Sequence, residues 1–139
     1  MEIIANAVQT VSANQNVYFT DSITSGTYSI QHRASSGLVT LLGNTNQCRA
    51  RYKVTFGGNI AVPATGTAGP ISLAIAIDGE ATPSTTMIET PAAVSTFFNV
   101  FSAIFVDVPR GTAVTVSVKN VGDSDVSVQN ANLIVERVA

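Results

Sequence analysis

Residues Thr96 to Val108 read TFFNVFSAIFVDV, a run of strand length that is apolar on both of its alternating faces. One face carries Phe97, Phe101, Ala103 and Phe105, interrupted by Asn99 and closed by Asp107. The other carries Phe98, Val100, Ile104, Val106 and Val108, with Ser102 among them. Successive strand side chains point to opposite sides, and an antiparallel strand of an isolated sandwich shows one apolar and one polar face. A strand apolar on both faces needs an apolar neighbour on each. In so small a domain the second neighbour is expected to be another copy of the chain. Phe98 and Val100 are expected in the subunit core, and Phe101 at an axis between copies.

The rest of the chain reads as strand after strand, with no helix pattern. Val8–Val11 and Val17–Thr20 are short β-prone pieces, and Tyr28–Arg33 and Leu38–Leu42 are strands split by the turn-like Ala34-Ser35-Ser36-Gly37. From Gln47 to Phe56 the alternation is clear: Cys48, Ala50, Tyr52, Val54 and Phe56 point one way, and Arg49, Arg51, Lys53 and Thr55 the other. Gly57-Gly58 permits a bend before Ile60–Val62. The loop Pro63–Pro70 (PATGTAGP) precedes Ile71–Ile77, in which Ile71, Leu73, Ile75 and Ile77 point inward. Asp78-Gly79 signals a hairpin into a Thr-rich strand over Glu80–Ile88. Pro109-Arg110-Gly111 turns into Thr112–Lys119, and Val126–Val138 is the last strand. Roughly eight to ten short strands separated by regular turns predict a single all-β domain, a β-sandwich or barrel, with an antiparallel jelly-roll β-sandwich favoured among these and about ten strands where the resemblance below is followed. Residues 1–16 read as an N-terminal arm or first strand, and 17–139 as the jelly-roll domain.

Composition excludes several function classes. The chain has 139 residues, 12% charged and 45% hydrophobic, with a formal net charge of -2. Ordinary domains carry about 25% charged residues, so Ser, Thr, Asn and Gln cover this surface instead. No general basic footprint for nucleic acid and no polybasic or transmembrane signal for a membrane is present. The opening MEIIANAVQTVSANQN lacks a basic n-region and a proper apolar h-region, so synthesis and folding in a reducing compartment are expected. The single Cys48 rules out an intrachain disulfide framework, and its place in an alternating strand predicts a buried thiol.

The pieces GPISLAIAIDGEATP, VSTFFNVFSAIFVDVPRGTAVTVSVKN and VSVQNANLIVERV, in that order, resemble the tumour-necrosis-factor and complement-type globular head family, in particular its bacterial and phage branch. The turn Val108-Pro109-Arg110-Gly111, the Val strand after it, and Asn130-Ala131-Asn132-Leu133-Ile134-Val135 carry the resemblance. Ala50–Phe56 is similar to the family's central Tyr strand, although Arg51 and Thr112 stand where the family often has Gly and an acidic residue. The resemblance implies a TNF-like jelly roll that trimerises through one sheet. Phe97, Phe101, Phe105 and Tyr52 are the expected trimer contacts. The stretches NVFSAIFVDVPRGTAVTVSVKN and QNANLIVERVA also look like small proteins encoded near phage capsid genes.

Sites for chemistry are sparse. His32 is the only histidine, so a multi-His metal jelly roll has no ligand set. Cys48 has no local nucleophile motif, and no Gly-x-Ser-x-Gly elbow is present. Asp123 and Asp125, with Asp78 or Glu80 from another loop, offer a Ca²⁺ option that is short of ligands. Arg49, Arg51 and Lys53 form a basic stripe on one strand face, either solvated or neutralised within the assembly, or else a contact for a partner. The expectation is a non-enzymatic protein without cofactors, a homotrimeric decoration or head-fibre-like virion protein bound to the major capsid protein. It is made in the host cytoplasm and displayed on the virion exterior, with Met1–Asn16 reaching the capsid. The alternatives are a trimeric binding module whose loops Pro63–Pro70 and Asn120–Asp125 meet a host-surface glycan or protein, and a spore or cell-surface structural head.

Overall fold

The alternation resolves into two antiparallel sheets packed face to face in a computed structural model that describes residues 1–24 and 27–139. Twelve strands form among the described residues. They are β1 (Glu2–Ala5), β2 (Gln9–Val11), β3 (Asp21–Thr24), β4 (Ile30–His32), β5 (Val39–Leu42), β6 (Arg49–Ala61), β7 (Ile71–Ile77), β8 (Glu80–Ala81), β9 (Met87–Glu89), β10 (Phe98–Pro109), β11 (Ala113–Asn120) and β12 (Val126–Arg137). One sheet runs β10-β6-β12-β1-β3, with β2 also paired to β12; the other runs β4-β5-β11-β7-β8, with β9 also paired to β7. Among the described residues the chain crosses between the sheets at 43–48, 62–70, 90–97, 110–112 and 121–125, so strands adjacent in sequence often lie in opposite layers.

The core sits between the layers. Tyr52, Phe56 and Ile60 of β6, Leu133 of β12, Ile3 of β1, Leu41 of β5, and Leu73 and Ile75 of β7 are fully buried there, with Phe19 from the segment before β3. Phe19 meets Phe56 edge-on at 6.5 Å, a favourable ring geometry. Among the described residues no buried side-chain polar atom lacks a hydrogen-bond partner. Gln9 shows how: its amide accepts from the Tyr18 N–H at 3.0 Å and donates to the Tyr18 carbonyl at 2.9 Å, as a backbone unit of a strand would.

Several expectations need correction. Of the two readings of residues 1–16, the strand is what forms. β1 pairs with β12 and β3, and β2 pairs with β12, because Ile3, Ala5 and Val11 supply an inward face. The segment is therefore not a free arm for reaching a capsid. Val17–Thr20 forms no strand, only isolated bridges, Asn16 to Lys119 just before it and Phe19 to Ser36 within it. The strand expected over Glu80–Ile88 is divided into β8 and β9 by a short 3₁₀ turn, Pro83–Thr85, since Pro83 has no N–H to continue a ladder. Gly57-Gly58 does not break β6, which runs unbroken through both. The irregularity lies opposite, in β12, where the register shifts between Gln129 and Asn132 and Asn130 takes φ 54°. Cys48 precedes β6 and is exposed, because β6 begins only at Arg49 and its buried face starts at Ala50. Asp78 (φ 52°) and Gly79 (φ 84°) make the expected hairpin.

Candidate functional site

β10 is an edge strand, hydrogen-bonded along its length to β6 only. Its inward face buries Val100, Val106 and Val108 against the core. Its outward face leaves Phe101 66% and Phe105 60% exposed, with exposed Ala103 between them. Phe98, expected in the core, is 37% exposed, because an edge strand is covered on one flank only. Phe97 precedes the strand and is exposed to the same degree.

Register extends this face across the sheet. Phe101 stands opposite Gly57, and Gly57 opposite Asn132. A side-chain carbon at Gly57 would meet no atom within 4 Å, so an open notch lies beside the Phe101 ring. In the next row Ala103, Thr55 and Ile134 follow one another from β10 through β6 to β12. Ile134 is 38% exposed and was missed in the sequence reading. Its signal was present in Leu133-Ile134-Val135, a run apolar on both faces like β10. The β12 irregularity concealed which residue of that run points outward. At the rim, Asn132 donates to the Glu2 carboxylate at 2.6 Å.

Tyr52, expected at the trimer contact, has no surface to offer. It lies on the inward face of β6, its hydroxyl donates to the Leu42 carbonyl at 2.6 Å, and the Arg137 guanidinium stands 5.8 Å from its ring centre. The parity of β6 dictates this: Ala50, Tyr52, Val54 and Phe56 share one face, and that face is the core.

The basic stripe does lie on the outward face, next to the phenylalanines. Register places Arg51 opposite Asp107, and Lys53 between Phe105 and Glu136. Asp107 accepts two bonds from Arg51, at 2.7 and 3.1 Å, and pairs with Arg49 at 3.2 Å. The hydrogen bond from Arg51, helped by attraction to both guanidinium groups, holds the Asp107 carboxyl below its ordinary value. Two of the three charges are thus answered within the chain.

The remaining sequence candidates are separated. His32 lies on β4, its Nε2 at 2.9 Å from the Ser36 carbonyl and its ring edge-on to Phe19 at 6.4 Å. Among the described residues no group of three or more His, Cys, Asp or Glu side chains comes together to hold a metal ion. Asp78 instead accepts the Thr115 N–H at 3.0 Å, and so is part of the hairpin.

The two loops proposed as outer contacts do meet. The pairings Ser127 to Ala61, Asn120 to Leu73 and Ser72 to Ile88 bring Pro63–Pro70, the 121–125 loop and β9 to one end of the sandwich. Between them lies a hollow of about 410 Å³.

No protein-family model matches this sequence, and no curated protein matches it either. Solved structures do. The globular domain of zebrafish complement 1qA superposes with a TM-score of 0.62 at 12% identity, over 96% of this chain and 93% of that one. A family 35 carbohydrate-binding module from Clostridium thermocellum aligns at a TM-score of 0.36 and 11% identity, over 92% and 98% of the two chains. The sugar-binding EclA C-terminal domain aligns at 0.37 and 14%, over 76% and 81%. These last two likenesses are too distant to bear on the argument. The two sheets, their order and the first superposition establish a jelly-roll β-sandwich with the fold of the complement 1q globular domain.

Proposed function

We propose that this chain is a non-enzymatic assembly protein, a homotrimer-forming jelly roll that serves as a decoration or head-fibre-like component on the exterior of a phage capsid. The observation that carries the assembly reading is the outward face of β10 and β6, where Phe101 stands beside the Gly57 notch and Phe105 is exposed further along the strand, opposite Lys53, while the core is already filled from the other side. Exposed rings on a regular sheet are costly to leave in water. Burying two of them against a neighbour contributes about 3–6 kcal/mol per subunit before the entropic cost of association. Phe97 and Phe98 at the start of the strand extend the contact. The fold supports this reading, since the family that the sequence resembles assembles through one sheet.

The capsid role is supported by the likeness of residues 99–120 and 129–139 to proteins encoded near capsid genes. With the N-terminal segment built into the sheet, the proposed capsid contact is the stripe Arg49, Arg51 and Lys53. Its charges are exposed or half-exposed beside the apolar face; Asp107 answers Arg49 and Arg51, so Lys53 is the charge left to meet an acidic patch on the major capsid protein. Mixing purified protein with expanded capsids and sedimenting the mixture tests this. Saturable co-sedimentation that weakens in Lys53→Glu supports the capsid role; a trimer that stays in the supernatant contradicts it.

A further inference from the structure

We infer that the hollow between the Pro63–Pro70 loop, β9 and the 121–125 loop is a binding site for a neutral, polyhydroxylated ligand, one face of a hexose. The floor is built rather than incidental. Asn120 is fully buried and its amide donates to the Val11 carbonyl at 2.9 Å and to the Ser124 carbonyl at 2.8 Å. The same side chain accepts the Gly122 N–H at 2.9 Å. These three bonds fix the loop that carries Asp123 and Ser124, and the Val121 N–H ties it to the Ser72 carbonyl at 3.3 Å. Pre-fixing a loop removes the ordering cost that weakens small-ligand binding.

The lining suits one face of a sugar ring. Ile88, 63% exposed, presents an apolar wall to the C–H face of a ring, and Thr67, Ser72 and Ser124 supply hydroxyls around it. Asp123 is exposed, and among the described residues it is in no ion pair. A carboxylate with two free oxygens accepts a pair of neighbouring sugar hydroxyls through charge-assisted bonds. At Gly122 a side-chain carbon would come within 3.3 Å of the Ser72 hydroxyl, so the missing side chain keeps the floor open. Among the described residues no basic side chain lines the hollow, so a uronate would find no charge partner there and would meet the Asp123 carboxylate instead. A single carboxylate is too few hard ligands for Ca²⁺. The site lies within one chain, so it does not depend on trimer formation, although three copies would bind a multivalent glycan with avidity.

Amide chemical shifts of the ¹⁵N-labelled protein, titrated with neutral methyl hexosides, with methyl glucuronide and with Ca²⁺ alone, test the assignment. The expected result is a saturable shift of the residue 67–72, 88 and 122–124 amides by at least one neutral hexoside. Its dissociation constant is expected on the order of 1 mM, with no response to the uronate. Asp123→Asn is expected to weaken binding about tenfold, and Ile88→Ser to weaken it also, with the rest of the spectrum unchanged. Phe101→Asp is expected to leave per-chain affinity as it is. The assignment is overturned if no hexoside shifts these amides, if Ca²⁺ alone shifts them, if the uronate binds equally well, or if Asp123→Asn binds as tightly as the parent.

Discussion

At Tyr52 the parity of β6 separates a core residue from a contact residue. The ring sits on the inward face of β6 and its hydroxyl satisfies the Leu42 carbonyl. Tyr52→Phe keeps the packing and removes one hydrogen bond, so urea denaturation is expected to show a loss of about 1 kcal/mol. Trimer mass should stay unchanged, because the side chain does not reach the surface. Asn120 carries more. Asn120→Ala strips the partners from two carbonyls and one N–H beneath the 121–125 loop, and about 3 kcal/mol of stability should go with it. Asp107 behaves differently because it is exposed. Its carboxyl is held below 3.8 by Arg51, so the contribution is fully present above that pH and is lost as pH falls through the lowered value. A pH titration of stability should show this loss beginning as pH falls through the ordinary carboxylate range. The effect should shrink with added salt, and Asp107→Asn should abolish it.

At the level of elements, alternation made much of the architecture readable in advance. β6 and β11 were legible because one face of each is nearly continuous Val, Ala, Tyr and Phe, and Asp78-Gly79 and Pro109-Arg110-Gly111 marked the turn after β7 and the turn before β11. β1 was not legible. Four residues, Glu2–Ala5, are too few for a period to stand out, and only pairing on both flanks makes them a strand. The bulge in β12 was hidden for a related reason. Gly57-Gly58 suggested the irregularity in β6, yet the extra residue is in the partner strand, with Asn130 taking the left-handed conformation. Asn tolerates that conformation better than most residues, and Gly tolerates it best. Asn130→Gly is therefore expected to be neutral within about 0.5 kcal/mol in thermal unfolding, while Asn130→Val should cost more than about 1 kcal/mol. The same bulge sets which of Leu133, Ile134 and Val135 points outward, a matter of register that no single-strand pattern contains.

For the molecule as a whole, the double apolarity of Thr96–Val108 proves to be two different things. The face with Val100, Val106 and Val108 completes the subunit's core, while the face with Phe101 and Phe105 remains on the outside beside Gly57 and Ile134. The sequence showed that both faces were apolar; the packing of the β10 sheet against the second layer determines which face is spare. Assembly through that face is the central claim, and sedimentation equilibrium of the parent protein and of Phe101→Asp tests it most directly. The parent is expected at three times the 14.4 kDa chain mass, and the variant at one chain mass with an unchanged far-ultraviolet dichroism spectrum. A monomeric parent, or a variant that remains trimeric, would contradict it.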